Sequence, residues 1–398
     1  MVGTTGNLNS TTIIRLYGVF SIEMNSKERH EARYQRRKEK RLRRKQERNE
    51  QYGDFDKVFT FDNLYCAFKK CCRGVGWKAS TQRYKANALQ NVNDTFNSLH
   101  NGTYKSRGFY EFDLVERGKP RHIKSVHISE RVVQRCLCDN ALVPMFSKSF
   151  IYDNGACMEY KGIDFAVRRL VCHLQRHFRK HGTNGYALVF DFSRYFDNIQ
   201  HEPLKRIVDK TFTDPRIVRI VNGFIDDFGE VGLGLGSQIS QVSALMYPNR
   251  LDHYIKEVLS IKHYGRYMDD GYLIHESKAH LQKCLQEIRR ICAELGIKLN
   301  AKKTQIVKLS RGLNFLKRHF ILTDTGGVII KPARKGITKM RHKLRTFKRW
   351  LVEGKMAIED IRTSYISWKG HMKHCNAYRT MVNTDALYDK LFLEGGTQ

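Results

Sequence analysis

The chain is short of acid. Across 398 residues, 40 Asp and Glu stand against 71 Lys and Arg, a formal net charge of +31. So one-sided a charge points to a polyanionic partner, whose binding releases counterions and weakens steeply with salt. Nucleic acid leads, and an anionic membrane is the other polyanion to weigh. Long apolar runs are also missing: no stretch approaches about 18 consecutive apolar residues, and no secretory signal precedes the basic segment. A spanning helix is excluded, and a soluble, intracellular protein is expected. Ten cysteines contain no CxxC pair, which argues against a zinc ribbon or a disulfide framework and for free thiols in a reducing compartment. His371, His374 and Cys375 cluster without a second ligand pair, so no metal site is expected there. No internal repeat is evident.

What is present divides into segments. Residues 1 to about 25 carry Gly, Asn, Ser and Thr around one apolar patch, Ile13 to Phe20. Lys27 to Arg48 hold 12 Lys or Arg against 4 Glu, with almost nothing to bury, so the segment is a solvated helix or is disordered until it meets phosphate. A solubilising tail, an RNA-binding arm through Arg36, Arg37, Arg41 and Arg44, and a contact for a protein all remain open. From Phe55 the pattern is globular. Leu64, Ala67, Phe68 and Cys71 recur at helical spacing, as do Leu89, Val92, Phe96 and Leu99 before Asn101-Gly102. Phe109 to Leu114 and the following basic stretch predict a β-hairpin. Helices are expected over Glu130 to Met145 and Phe165 to about Arg179, a strand over Tyr186 to Phe190, and a helix through Leu281, Cys284, Leu285, Ile288, Cys292 and Leu295 stopped by Gly296. Basic helices follow over Ile337 to Leu351, Ile358 to Trp368 and Thr384 to Leu393. The class is α+β, with one face of the sheet covered.

Tyr267-Met268-Asp269-Asp270 puts adjacent carboxylates where a tight hairpin turns. Such a pair raises the pKa of each member unless a cation lies between them, so it reads as half of a divalent-metal site. Asp191, ending the run Tyr186-Ala187-Leu188-Val189-Phe190, is the natural third carboxylate. Three carboxylates holding two Mg²⁺ ions roughly 4 Å apart would clamp the attacking and leaving oxygens of a phosphoryl transfer.

Asp191-Phe192-Ser193-Arg194-Tyr195-Phe196-Asp197 and Tyr267-Met268-Asp269-Asp270 resemble two palm motifs of reverse transcriptases. The flanking segments match in order: Lys119 to Ile123, Arg131 to Gln134, Leu142 to Phe146, Gly236 to Gln241, Gly296 to Asn300 and Lys303-Thr304. The resemblance covers roughly residues 55 to 380. It implies a right-hand polymerase fold: a basic arm over 1–50, fingers and part of the palm over 51–185, palm over 186–325, and a helical thumb over 326–398. It also implies RNA-directed DNA synthesis from dNTPs with two Mg²⁺ ions, or Mn²⁺ in their place, on Asp191, Asp269, Asp270 and the Phe192 carbonyl. Phe196 would be the gate against a 2′-hydroxyl, with a plain core Phe as the alternative. Lys119 and Arg121 would meet the triphosphate, and Lys303 would protonate the leaving pyrophosphate. Gly236, Gln238 and Gln241 would lie at the incoming nucleotide. Leu313 to Leu316 resembles the primer grip, and Tyr267, Lys317, Lys343 and Arg345 would touch the template and the cDNA.

One frame departs from the general family. Leu235-Gly236-Ser237-Gln238-Ile239-Ser240-Gln241 has Leu where most members carry Gln and Gln241 where they carry Pro. This form, and Ser367 to His374, resemble diversity-generating retroelement enzymes. That implies a nearby template RNA, a small basic accessory partner, low fidelity opposite adenine, and a cytoplasmic, bacterial or phage-encoded protein. Phage-defence and retron-like enzymes, which use a dedicated non-coding RNA, share the core. The long basic arm leaves room for self-assembly. A catalytically inactive RNA-binding protein is a further alternative, but a relic would be expected to have lost one of the three carboxylates.

Overall fold

The computed structural model describes residues 25–116 and 119–393. Contacts divide the chain into two units at Gln51. The described part of the first is all but the last residue of the helix α1 (Ser26–Tyr52), whose arginines 36, 37, 41 and 44 are all exposed. Among the described residues, no helix is long and apolar enough to cross a membrane.

The second unit begins with four helices, α2 (Phe55–Val58), α3 (Phe61–Cys71), α4 (Ala79–Ala86) and α5 (Ala88–His100). α3 starts where the Thr60 side chain accepts the Asn63 N–H, and it buries Leu64, Ala67, Phe68 and Cys71 along one face. In α5 only part of the expected face is inside: Val92 and Leu99 are buried, while Leu89 is 61% exposed near the helix start. The hairpin of β1 (Phe109–Glu116) and β2 (Lys119–Val126) pairs Phe109 with Val126 through to Glu116 with Lys119. Then come α6 (Ile128–Leu137), a π-helical turn over Cys138–Leu142, α7 (Val143–Ser147) and α8 (Ile163–His181).

The central sheet contains β3 (Tyr186–Asp191), β4 (His263–Tyr267), β5 (Asp270–His275) and β6 (Gln305–Lys308) in the order β4-β5-β3-β6. Between β3 and β4 lie α9 (His201–Thr211), α10 (Pro215–Asp226), α11 (Gln238–Met246) and α12 (Asn249–His253); α13 (Lys278–Glu294) follows β5. The Ser277 side chain caps α13 by accepting the His280 N–H, and Gly296, at φ +67°, ends the turn beyond it. A second sheet, β7 (Leu313–Phe315), β8 (Arg318–Leu322) and β9 (Val328–Pro332), precedes α14 (Arg334–Val352), α15 (Ile358–Met372) and α16 (Tyr378–Phe392). β9 thus carries sheet structure to Pro332. α16 starts six residues before the expected Thr384, because exposed Arg379 and Val382 hide its apolar period.

Helices and antiparallel sheets confirm the α+β class, but both faces of the central sheet are covered. Leu188 and Phe190 of β3 join Leu273 and the α13 residues Leu281, Cys284 and Ile288 in the main core. Ala187 and Val189 point the other way, into a cluster with Leu170 and Leu174 of α8 and Phe315 and Phe320 of the second sheet. The unbroken apolar run of β3 is the signature of a strand buried on both sides. The C-terminal helices have a core of their own, Met340, Leu344, Phe347, Ile361 and Tyr365. Two bonds fasten their α15–α16 link to β9: Asn376 N–H donates to the Ile330 carbonyl at 2.7 Å, and Ile330 N–H donates to Asn376 Oδ1 at 2.8 Å.

Arg266 of β4 is fully buried and forms an ion pair with fully buried Asp252 of α12, Nη2 to Oδ2 at 2.6 Å. Its remaining donors reach the carbonyls of Met268 (2.8 Å) and Leu245 (3.1 Å), and Tyr264 donates to Asp252 Oδ1 at 2.5 Å. Gly271 lets β5 pass against Phe190: an added Cβ would lie 2.3 Å from the ring. Removing one member of a buried pair leaves the other uncompensated, so Asp252→Asn or Arg266→Met is expected to cost roughly 3–5 kcal/mol in urea unfolding. An effect below about 1 kcal/mol, the size of an exposed ion pair, would contradict this reading.

Candidate active site

Strand register brings the carboxylates together. Asp191 is the last residue of β3 and Asp270 the first of β5, and the two are direct partners across the ladder. Tyr267 pairs with Asp270 on the other side, leaving Met268 and Asp269 as a two-residue turn. Met268 sits at φ +52°, a conformation non-glycine residues rarely adopt, and its carbonyl is the one Arg266 holds. Three backbone bonds fix Asp191 and its neighbours. Phe192 N–H donates to the Asp269 carbonyl (3.1 Å), Asn300 N–H to the Asp191 carbonyl (2.8 Å) and Ser193 N–H to the Lys298 carbonyl (2.7 Å). The Phe192 side chain packs in the core against Phe190 and Tyr195, so only its backbone is available to the site.

Burial raises the pKa of Asp269, with the Asp191 charge adding to it. Asp270 is pushed up to about 7, first by burial and then by the charge of Asp269 and the hydrogen bond and charge of Asp191. Asp191 is 4% exposed, and Lys303 Nζ donates to its Oδ2 at 2.5 Å. One ammonium against three carboxylates leaves surplus negative charge on hard oxygen donors, a set that suits a divalent cation. Among the described residues, however, no group of three or more His, Cys, Asp or Glu is placed to hold a metal ion. Lys303 instead takes one carboxylate oxygen.

Asp269 and Asp270 open into a cleft of about 660 Å³ lined from three sides; Asp191 and its partner Lys303 lie behind them and do not line it. Arg121 comes from the β1–β2 hairpin, and Arg194, Phe196, Leu235, Tyr267, Asp269 and Asp270 from around the central sheet. Lys317 comes from the β7–β8 turn and His371 from α15. Phe196 opens a short 3₁₀ turn, with its ring 5.8 Å from that of Tyr195 and packed against the core, so it both lines the cleft and belongs to the interior.

Other expected residues lie elsewhere. Gly236, Gln238 and Gln241 line a separate cavity of about 370 Å³ with Lys70, Arg131 and Arg135; of that frame only Leu235 reaches the carboxylate cleft. The helical turn that starts at Gln238 separates the two, and Gln238 Nε2 donates to Asp139 Oδ1 at 3.4 Å. Lys343 donates to Ser364 of α15 at 2.9 Å, and Arg345 is exposed on α14; neither lines the cleft. The side chain of Lys119 falls outside the described residues. His374 Nδ1 stands 3.7 Å from Asp164, and all ten cysteines are free. Sequence reasoning missed Arg266 and Asp252, fourteen residues apart with no local pattern, and missed His371 as part of the cleft.

Residues 106–320 match the family profile described as reverse transcriptase (RNA-dependent DNA polymerase). The chain belongs to the reverse transcriptase family. The match runs from the segment before β1 into β8 and spans every element that positions the carboxylates, in keeping with a right-hand polymerase fold. Among solved structures, this reverse transcriptase is similar to apo telomerase from Candida tropicalis truncated from its C-terminal domain. That similarity has 14% identity and a TM-score of 0.41, covering 55% of this chain and 54% of that one. It is also similar to telomerase from Candida albicans in complex with a fragment of telomeric RNA, at 10% identity and a TM-score of 0.46, covering 78% and 66%. The chain thus spans between 54% and 66% of the length of those structures. No curated protein sequence matches it.

The raised Asp270 fixes the sign of a pH effect. Its folded pKa lies above the ordinary carboxylate value, so holding it charged costs stability as pH rises through about 7, and the cost vanishes below the unfolded value. Asp270→Asn is expected to stabilise the chain in EDTA by roughly 1–3 kcal/mol at pH 8, with a smaller gain at pH 5, in urea melts. No gain at pH 8 would show that the carboxylate is not under strain.

Proposed function

We propose that this reverse transcriptase copies an RNA template into DNA by nucleotidyl transfer in the cleft above Asp269 and Asp270, with Asp191 beside them. The observation that carries the reading is the register that sets Asp191 beside Asp270 with Asp269 in the adjoining turn. These carboxylates and the Phe192 carbonyl would hold two Mg²⁺ ions, or Mn²⁺, which when bound supply charge to stabilise the attacking and leaving oxygens of phosphoryl transfer. Arg121 at the cleft edge offers a planar fork to the triphosphate. Phe196 leaves no room for a 2′-hydroxyl. Lys303, held at Asp191 Oδ2, carries on Nζ the proton that the leaving pyrophosphate takes up.

Primer extension on an RNA template tests this. Asp269→Asn is expected to abolish dNTP incorporation while the melting temperature stays at or above that of the parent chain; full incorporation would sink the proposal. In the same assay Phe196→Val should admit ribonucleotides, and unchanged exclusion would return Phe196 to the core.

The finer reading is a diversity-generating retroelement enzyme, supported by Leu235 lining the cleft where most of the family carries Gln. An apolar side chain there forgoes a polar contact that would test the geometry of the new pair. Sequencing the cDNA should show errors concentrated at template adenines. Errors spread evenly over the four bases, or homopolymeric products, would instead favour a defence or retron-like enzyme.

A further inference from the structure

Asp191 is the cross-strand partner of Asp270, yet Asp269 and Asp270 line the cleft and Asp191 does not. Its side chain is 6% exposed and is engaged twice: Lys303 Nζ donates to Oδ2 at 2.5 Å, and Asp270 shares a hydrogen bond with it. An ammonium so close to a buried carboxylate binds firmly, because little water screens the two charges. Among the described residues, no group of three or more His, Cys, Asp or Glu is placed to hold a metal ion. The three carboxylates suit a divalent cation by chemistry but not by placement, and the one that stands apart is the one Lys303 holds.

The lysine is mounted on the strand whose carboxylate it grips. Asn300 N–H donates to the Asp191 carbonyl at 2.8 Å, and an antiparallel bridge pairs Phe192 with Leu299. Asn300 also organises the turn that follows. Its Oδ1 accepts Lys302 N–H (3.1 Å) and Lys303 N–H (3.3 Å), and its carbonyl accepts Lys303 N–H (3.2 Å) and Thr304 N–H (2.9 Å). Carrying Lys303 away by its backbone would break these bonds. The side chain is freer, being 58% exposed on a flexible four-carbon stem. The ammonium therefore stays at Asp191 at a high effective concentration, and rotation of that stem is its way out.

A divalent cation bound to the same oxygen at about 2.1 Å would stand within about 5 Å of that ammonium, and the two positive charges would repel where water is scarce. The oxygen serves one or the other. We propose that Lys303 is a built-in competitor for the metal at Asp191, a latch that keeps this carboxylate out of the cleft and lets go when a divalent cation replaces it. The exchange has a second consequence. The same Nζ carries the proton assigned above to the leaving pyrophosphate, so surrendering Asp191 frees the group that the end of the reaction uses. In holding Asp191, Lys303 is a positioning residue. The proposal rests on the polymerase reading for the identity of the cation; the grip on Asp191 does not.

The test uses the full chain, with neither template nor nucleotide. In a Mn²⁺ titration followed by the electron paramagnetic resonance of the free ion, Lys303→Met should bind about tenfold more tightly than the parent. Lys302→Met removes the neighbouring exposed charge and should stay within about threefold of the parent. Equal gains in the two variants would make the effect one of net charge alone and overturn the latch, as would equal binding by Lys303→Met and the parent. A second measurement needs no variant. Acetylation of lysines by a reactive ester, mapped by mass spectrometry, should find Lys303 protected relative to Lys302 in EDTA, and labelled severalfold faster in saturating Mg²⁺. Labelling of Lys303 that Mg²⁺ leaves unchanged overturns the proposal even if Lys303→Met folds poorly. The polymerase reading fails by a different result, full dNTP incorporation by Asp269→Asn, so the two failures appear in different assays.

Discussion

The turn that carries Asp269 depends on a buried charge. Arg266 and Asp252 are both removed from water, a costly arrangement offset because each of the three guanidinium nitrogens is hydrogen-bonded. One of those donors grips the Met268 carbonyl and so fixes a left-handed residue beside the two aspartates. The backbone of Arg266 also pairs outward, its N–H donating to the Asp153 carbonyl and its own carbonyl accepting the Gly155 N–H. A single residue thereby ties the hairpin to α12, to the start of α11–α12 packing at Leu245, and to the segment before α8.

That arrangement explains why three carboxylates tolerate one another. Main-chain bonds from Phe192, Ser193 and Asn300 set the ends of β3, and the hairpin is locked from behind. Burial, together with a repulsion that backbone movement cannot relax, appears as raised proton affinity at Asp269 and Asp270. Lys303, on the far side of β3, offsets part of it.

The hairpin and the Asp191 partnership were legible because adjacent carboxylates at a turn and an apolar strand ending in Asp are local signals. The same holds for α3 and α13, whose apolar residues recur at helical spacing and whose ends carry cap residues. Burial on both faces of the sheet was written in the unbroken run Ala187 to Phe190, yet its reading required knowing what packs there. Leu89 shows the limit of periodicity: the spacing fits, but α5 turns that residue to solvent. Gly236, Gln238 and Gln241 share a frame with Leu235 but not its cleft, since a helix beginning at Gln238 carries the later side chains away. The Arg266–Asp252 pair arises from a contact between separate elements, β4 and α12, for which one sequence holds no pattern.

Gly271 alters how defects in this enzyme should be interpreted. It directly follows Asp270, and the space a methyl would need is filled by the Phe190 ring, itself wedged into the core that α13 closes. Any larger residue there must first displace packed interior, so lost activity at position 271 reports a misassembled sheet rather than missing chemistry. A position touching the aspartate pair in sequence is, in energetic terms, part of the foundation.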